Sequence, residues 1–459
     1  MIKKFLSLMI VLIMALSFAS CGGPVKKPDE SDTPDVPPEE QEKIYALTLA
    51  EDTLFLLEGD ENIEVPIGSF TVNGSAADVS LLQYESSDTS VITIQDNTLS
   101  AVGEGSAAVT VSYENASDVL SVTVYGVAEN GDPFAENAVR LHGRVYENEN
   151  GDLVVDNVNS GLEFAFYGTE FKASVKSDAT AAQYVRCYLD GDEEGERISI
   201  KKQTEQTCVF AEGLKEGVHT VRIMKMTQQR TGGNSYSLVV TGVETGTNCR
   251  ILEQGEENEE KLKIDFYGDS ITAGEGNCSD TKEDAITVKN SDGTQTYASF
   301  TAQALGSEGS FVGYGGITVR VPYMLGSDIT MYNIWRWYST LNRTEYPVDP
   351  ETDFVVINLG TNDSSAPNYT GEMFAADYLA LLNEMKKFYP NAHFVLCYGM
   401  MGIVYKIDSA ISSVVNDFDG EASYCRLPTN TSGAGSHPTI DGHKAAAKVL
   451  TRHIEGLMK

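Results

Sequence analysis

Two short apolar runs in this chain each end in a side chain able to do chemistry. Lys263-Ile264-Asp265-Phe266-Tyr267 leads into Gly268-Asp269-Ser270-Ile271-Thr272. A serine at a strand-to-helix corner is lifted out of the sheet, and the N–H groups that follow point at whatever its hydroxyl attacks. Phe354-Val355-Val356-Ile357-Asn358-Leu359 leads into Gly360-Thr361-Asn362-Asp363, where an asparagine amide can donate to a developing oxyanion. Between them lies Gly313-Tyr314-Gly315-Gly316; a glycine there lets a backbone N–H approach a bound molecule closely. His437-Pro438 stands just before a C-terminal helical pattern that contains His443. A hydroxyl, a set of N–H donors and an imidazole are the parts of nucleophilic acyl transfer. Taken singly, each motif is also an ordinary turn or helix cap.

The elements around these motifs must bring them together. From Lys263 onward, short apolar strands alternate with helical patterns at Tyr297–Leu305, Met373–Phe388 and Gly442–Leu457; Phe394–Tyr398 reads as a further strand. That alternation predicts an α/β domain over 262–459 with a doubly wound parallel sheet. Such sheets bind ligands beyond the carboxyl ends of their strands, where Ser270 and Asn362 fall. Of the six histidines, His142 and His219 lie upstream of this domain, His393 begins its strand, and His453 is near the C-terminus. His437 and His443 remain as candidate bases.

The upstream chain is β-rich. Runs such as Leu162–Phe166, Tyr184–Gly191 and His219–Lys225 predict a jelly-roll β-sandwich over 135–250. Residues 44–127 show short alternating runs, including Val91–Ile94, Ala107–Val111 and Leu120–Val124, and predict an immunoglobulin-like sandwich. Ser86–Val91 followed by Leu99–Gly105 resembles a bacterial Ig-like group 2 module, which implies a spacer. Residues 21–43 are rich in Pro, Asp and Glu and predict a disordered tether. Residues 1–20, with Lys3 and Lys4 before an apolar run, read as a signal peptide. Phe18-Ala19-Ser20-Cys21 resembles the bacterial lipobox, which implies export, lipidation of Cys21 and attachment to a membrane through that lipid alone.

A net charge of −34 repels nucleic acid and anionic headgroups at long range. Cys187, Cys208, Cys249, Cys278, Cys397 and Cys425 match no zinc spacing, and no His/Asp cluster has ligand spacing, so neither metal nor cofactor is implied. Cys187 with Cys208 could bridge neighbouring strands; six free thiols are equally compatible with the spacing.

Serine, glycine, asparagine and histidine in this order and context resemble the four blocks of the SGNH (GDSL-like) hydrolases. The resemblance selects His437, the histidine before a proline, as general base and Ser270 as nucleophile. It implies an oxyanion hole built from the Ser270 N–H, the Gly315 N–H and the Asn362 side chain. Gly315 is preferred to Gly316 by its spacing from Arg320. The chain departs from the pattern at Ala434, where most members carry an aspartate that orients the histidine. Asp441 follows the histidine and is an imperfect substitute, so either a backbone carbonyl or a distant carboxylate must hold the ring. A β-sandwich ending in His219-Thr220-Val221-Arg222 and running directly into an SGNH domain is similar to the family 2 carbohydrate esterases, over about 139–459. That similarity implies removal of O-acetyl groups from polysaccharides such as xylan and glucomannan. The alternatives are an SGNH esterase or lipase acting on other acyl esters, and an inert glycan-binding or adhesion protein at the cell surface. Trp335, Trp337 and Tyr338 could stack on sugar rings, though aromatics so placed also serve as packing residues.

Overall fold

The computed structural model describes residues 43–459, apart from 129–131, 136, 178, 180, 232–233, 247–248, 255–260 and 327. The signal-peptide, lipidation and tether expectations, Cys21 included, fall outside the described residues but for the single position 43.

Residues 45–125 form three small sheets around their own apolar cluster. The four-stranded sheet runs Thr53–Leu57, Ala116–Tyr125, Gly105–Tyr113, Gln83–Ser86, with its first pair parallel. Alternate residues of the longest strands, Val109, Val111, Leu120, Val122 and Val124, turn inward and are almost wholly buried. That period of two is what a half-buried strand requires. A second β-region, from 140 to 252, stacks two larger sheets. One orders Arg140–His142, Gly161–Gly168, Gly217–Lys225, Gln183–Leu189 and Glu196–Ile200, with Arg250–Leu252 beside Gly161–Gly168. The other orders Val145–Glu147, Leu153–Val155, Leu238–Thr245, Phe171–Ser177 and Glu205–Ala211. Phe164, Phe166, Phe171, Val185, Val221 and Val240 fill the space between them. Cys187 and Cys208 lie on different sheets of this pair and are buried free thiols, as are Cys249, Cys397 and Cys425.

The third region is a five-stranded, wholly parallel sheet in the order Phe311–Gly313, Ile264–Gly268, Phe354–Asn358, His393–Tyr398, Ala422–Arg426. Its helices are α1 (Tyr297–Leu305), the short α2 (Met331–Ile334), α3 (Gly371–Met385), α4 (Tyr405–Asp417) and α5 (Ile440–Leu457). Val355 and Ile357 face α3 and α4, packing with Phe374, Leu381, Ile407 and Ile411. Phe354 and Val356 face the opposite way, toward α1 and α5, packing with Tyr297, Ala298, Leu450 and Ile454. A continuous apolar strand therefore serves two layers, as a sheet covered on both faces demands. Thr296, Thr370 and Thr439 cap α1, α3 and α5 through their hydroxyls. Among the described residues no helix is long and apolar enough to cross a membrane.

Buried polar contacts join the second β-region to the parallel-sheet domain. Arg144, 1% exposed, donates to the Trp337 carbonyl at 2.5 Å and the Tyr267 hydroxyl at 2.9 Å. Asn157 donates to the Tyr338 carbonyl at 2.6 Å, Gln229 accepts from the Thr340 N–H at 2.6 Å, and Arg186 pairs with Asp292 at 2.5 Å. Trp335 is buried edge-on against Tyr267 and Phe388, and Tyr338 packs on Tyr146 and Tyr346. These two aromatics are packing residues of the fold and its interface. Trp337, half-buried, carries Arg343 over its ring.

Candidate active site

The site lies where the carboxyl ends of the central strands meet the loop before α5. Gly268 ends the serine strand because nothing larger fits: an added Cβ would lie 2.1 Å from Thr272 Oγ1. Asp269, fully buried, accepts the Ile271 N–H at 2.9 Å and so closes the turn that presents Ser270. Burial holds the Asp269 carboxyl up at about 7, and the nearby Glu275 charge adds to this.

His437 arrives from a one-turn 3₁₀ segment, Ala434–Ser436. Gly435 and Ser436 there have φ of +59° and +62°, a reversal that turns the histidine back toward the sheet. Its Nε2 lies 2.8 Å from Ser270 Oγ, a normal hydrogen bond across 167 positions of sequence. Nδ1 is buried and, among the described residues, makes no hydrogen bond of normal geometry. Burial lowers the ring's pKa, and the neighbouring Ala434 and Gly435 backbone groups oppose that by favouring the charged ring.

Ala434 occupies the position at which the resemblance leads one to expect an aspartate. It is fully buried, its N–H donates to the Gly276 carbonyl at 3.1 Å, and its own carbonyl fills the space where a Cβ of Gly276 would be. Asp441 sits exposed in the first turn of α5, and no hydrogen bond or ion pair joins it to His437 among the described residues. His443 is fully buried, stacks on Tyr297 and accepts that residue's N–H through Nδ1 at 3.0 Å. Burial, then the charge of His437, drives its pKa down to about 3, so the ring stays neutral.

Asn362 follows Gly360, whose φ of +114° turns the chain out of the strand. The Asn362 amide donates to the Ile317 carbonyl at 2.8 Å, leaving its second N–H for another acceptor. The Gly315 N–H donates to Gln228 Oε1 at 2.9 Å, so a side chain of the upstream β-region already meets this donor. Arg320 pairs with Asp377 at 3.4 Å and lies over the Tyr332 ring.

Two residues of the site escape sequence reasoning. Gln228 follows the strand Gly217–Lys225 in the buried run Thr227-Gln228-Gln229. Its Nε2 donates to Glu275 Oε1, and Glu275 Oε2 lies 3.9 Å from His437 Nε2. The only hint of Glu275 in the sequence is a lone acid between two glycines five residues after the serine; burial of Gln228 left no local trace. Among the described residues no cluster of His, Cys, Asp and Glu is gathered as a metal ion would need.

Residues 141–253 match the family model described as carbohydrate esterase 2 N-terminal, and residues 266–423 match the GDSL-like lipase/acylhydrolase family. The chain is 29% identical over 310 residues to cellulase/esterase CelE of Acetivibrio thermocellus, covering 64% of this chain and 36% of that one. It thus spans about a third of that relative's length. It is 25% identical over 276 residues to an acetylxylan esterase / glucomannan deacetylase of Cellvibrio japonicus, covering 53% of this chain and 71% of the relative. Its fold superposes with a TM-score of 0.63 on a family two carbohydrate esterase from Clostridium thermocellum solved with cellohexaose, at 27% identity, covering 70% of this chain and 99% of that one.

Proposed function

As a chain that carries a carbohydrate esterase 2 N-terminal domain ahead of a GDSL-like acylhydrolase domain, this protein is, we propose, a carbohydrate O-acetyl esterase acting on acetylated polysaccharides. The observation that carries the reading is the 2.8 Å hydrogen bond from Ser270 Oγ to His437 Nε2 at the carboxyl edge of the parallel sheet. Depression of the ring's pKa by burial supports it, because a general base must be neutral before it can accept a proton.

In the proposed reaction Ser270 Oγ attacks the ester carbonyl while its proton passes to His437 Nε2. The Ser270 N–H and the free N–H of the Asn362 amide receive the oxyanion. Gly315 joins them once the substrate oxygen takes its N–H from Gln228. Each such donor is worth about 10² to 10³ in rate. His437 then protonates the departing sugar oxygen and activates water against the acetyl-enzyme. With no carboxylate at Nδ1, the pair works as a dyad. No metal or cofactor is called on.

The same proposal extends along the chain. Residues 44–127 act as an Ig-like spacer, 135–250 as a jelly roll packed on the hydrolase domain 262–459, and a lipid on Cys21 holds the exported enzyme at the cell surface, where polymers too large to enter can be reached. The decisive experiment is acetate release from acetylated xylan and glucomannan, beside a chromogenic acetate ester, for the wild type and Ser270→Ala. Acetate from a polymer that disappears with Ser270→Ala supports the reading. Activity on the small ester alone would point to other acyl esters, and no activity on any ester to a binding protein.

A further inference from the structure

Proton transfer from Ser270 creates an imidazolium at His437, and a triad would set a carboxylate against its Nδ1. Here that nitrogen has no acidic partner. A carboxylate lies instead on the other side of the ring, with Glu275 Oε2 3.9 Å from Nε2. That is too long for a hydrogen bond but well within strong electrostatic reach in a site shielded from water. Glu275 is held from several directions. Gly274 and Gly276 flank it at φ of +73° and +66°, and its N–H donates to the Ser270 carbonyl at 3.0 Å. Its Oε1 accepts from Gln228 Nε2, while Gln228 Oε1 accepts the Gly315 N–H. A backbone N–H can only donate, so the Gln228 oxygen must face Gly315 and its NH₂ must face the carboxyl. An added Cβ on Gly315 would lie 2.7 Å from Glu275 Oε1, so any side chain there would have to push the carboxyl aside. The serine turn, the glycine turn, the histidine loop and the β-sandwich thus converge on one carboxyl group.

We infer that Glu275, clamped by Gln228 of the sandwich, is the positioning residue whose charge stabilises the His437 imidazolium during acyl transfer. The inference rests on the esterase reading above and gives the sandwich a direct part in turnover. In the step itself the Ser270 O–H bond breaks as the bond from Oγ to the acyl carbon forms, and the proton resides on Nε2 until the leaving oxygen takes it. Glu275 gains and loses no proton in the cycle.

Burial pushes the Glu275 carboxyl up to about 7, and the Gln228 amide partly opposes this. The groups facing it are His437 from the loop before α5, Asp269 on its own turn, whose carboxyl the Glu275 charge holds up, and the uncharged Gln228 and Gly315. Below about 7 the carboxyl is protonated and only the Ala434 and Gly435 backbone groups favour the imidazolium; above it the carboxylate assists. The acid limb of kcat therefore follows Glu275 and not the lower titration of His437.

The test is the pH profile of kcat and KM on one acetate ester for wild type, Glu275→Gln, Glu275→Asp and Gln228→Met. Glu275→Gln should lower kcat about 10- to 100-fold with KM within about threefold, and move the acid limb to lower pH, toward the titration of His437 itself. Glu275→Asp keeps the charge and should keep the limb, with a smaller loss. Gln228→Met removes the donor that favours the ionised carboxyl, so its limb should move the opposite way, to higher pH. This second variant decides the matter if Glu275→Gln fails to fold. A merely structural role would lower kcat or raise KM without moving either limb. Unmoved limbs, or a loss confined to KM, would overturn the inference. A wild type inactive on every ester would sink the esterase reading instead, so the two failures are distinguishable.

Discussion

Gly276 and Ala434 lock the nucleophile's turn to the histidine's loop: the Ala434 N–H donates to the Gly276 carbonyl at 3.1 Å, and the Ala434 carbonyl occupies the place of a Gly276 Cβ, 2.6 Å from where that atom would be. The bond from Ser270 to His437 spans 167 positions, and this small backbone clasp joins the two segments that carry it. Gly276 serves because its φ of +66° is one that residues with a Cβ adopt only under strain.

Gly276→Ala should therefore injure both stability and catalysis. The strained backbone costs about 1–3 kcal/mol, and the clash must push the histidine loop away. Turnover should drop at least about tenfold, since small misplacements of reacting groups are costly, with a lower melting temperature. Turnover and melting point both matching wild type would show that the clasp does not position His437.

Asn362→Ala should lower turnover by about 10² to 10³ while the fold survives, because the change forgoes a single side-chain hydrogen bond within the protein, to the Ile317 carbonyl. Turnover with circular dichroism measures this; a change within a few-fold would remove Asn362 from the oxyanion hole.

Asp441→Asn should cost less than about tenfold, against the roughly 10⁴ that loss of a triad acid can cost. Its exposed place in the first turn of α5 allows it only to support the helix end. His437→Ala should remove nearly all activity. His443→Ala, which opens a cavity beneath Tyr297, should show mainly as lost stability. Equal collapse for Asp441→Asn and His437→Ala would mean a relocated triad acid.

Asp363 offers a stability test with a definite sign. Burial raises its carboxyl from 3.8 to about 7, the Val319 N–H bond and its own backbone opposing this, and its Oδ2 has no partner. The folded protein binds a proton there between pH 4 and 7 that the unfolded chain releases, so this group's contribution to stability falls as pH rises through that window and is level above it. Its ceiling is about 4 kcal/mol. Asp363→Asn lacks this dependence while keeping an acceptor for Val319. The variant's melting temperature should gain on wild type from pH 5 to pH 8. A constant difference across those pH values would contradict the assignment.

Local order was legible in the residues themselves. Helix α1 begins and ends where its apolar spacing and Thr296 cap place it, and the strands bearing Ser270 and Asn362 stand out because apolar runs end abruptly in glycine. Helix α4, which sequence reasoning missed, starts at Tyr405 behind Val404, which offers no side-chain cap. The edge strand Phe311–Gly313 is three residues long, too short to show a period. The fate of the cysteines was open, since spacing does not say that the strands of Cys187 and Cys208 belong to opposite sheets.

Glycine after a strand marks the candidate nucleophile and oxyanion donor locally, whereas the choice of His437 over His443 came from the resemblance to SGNH hydrolases, whose base precedes a proline. Their mutual distance was not readable, and neither was the company they keep. Gln228 lies 47 positions from Glu275 and 87 from Gly315, and nothing near any of the three signals the others. Ala434 reads in sequence as a missing acid; in the fold it is a buried residue whose backbone bonds the Gly276 carbonyl. Residue type and local spacing determine which groups are chemically competent. Burial, pKa and the Glu275 carboxylate beside the histidine arise only when distant segments close around a shared volume that excludes water.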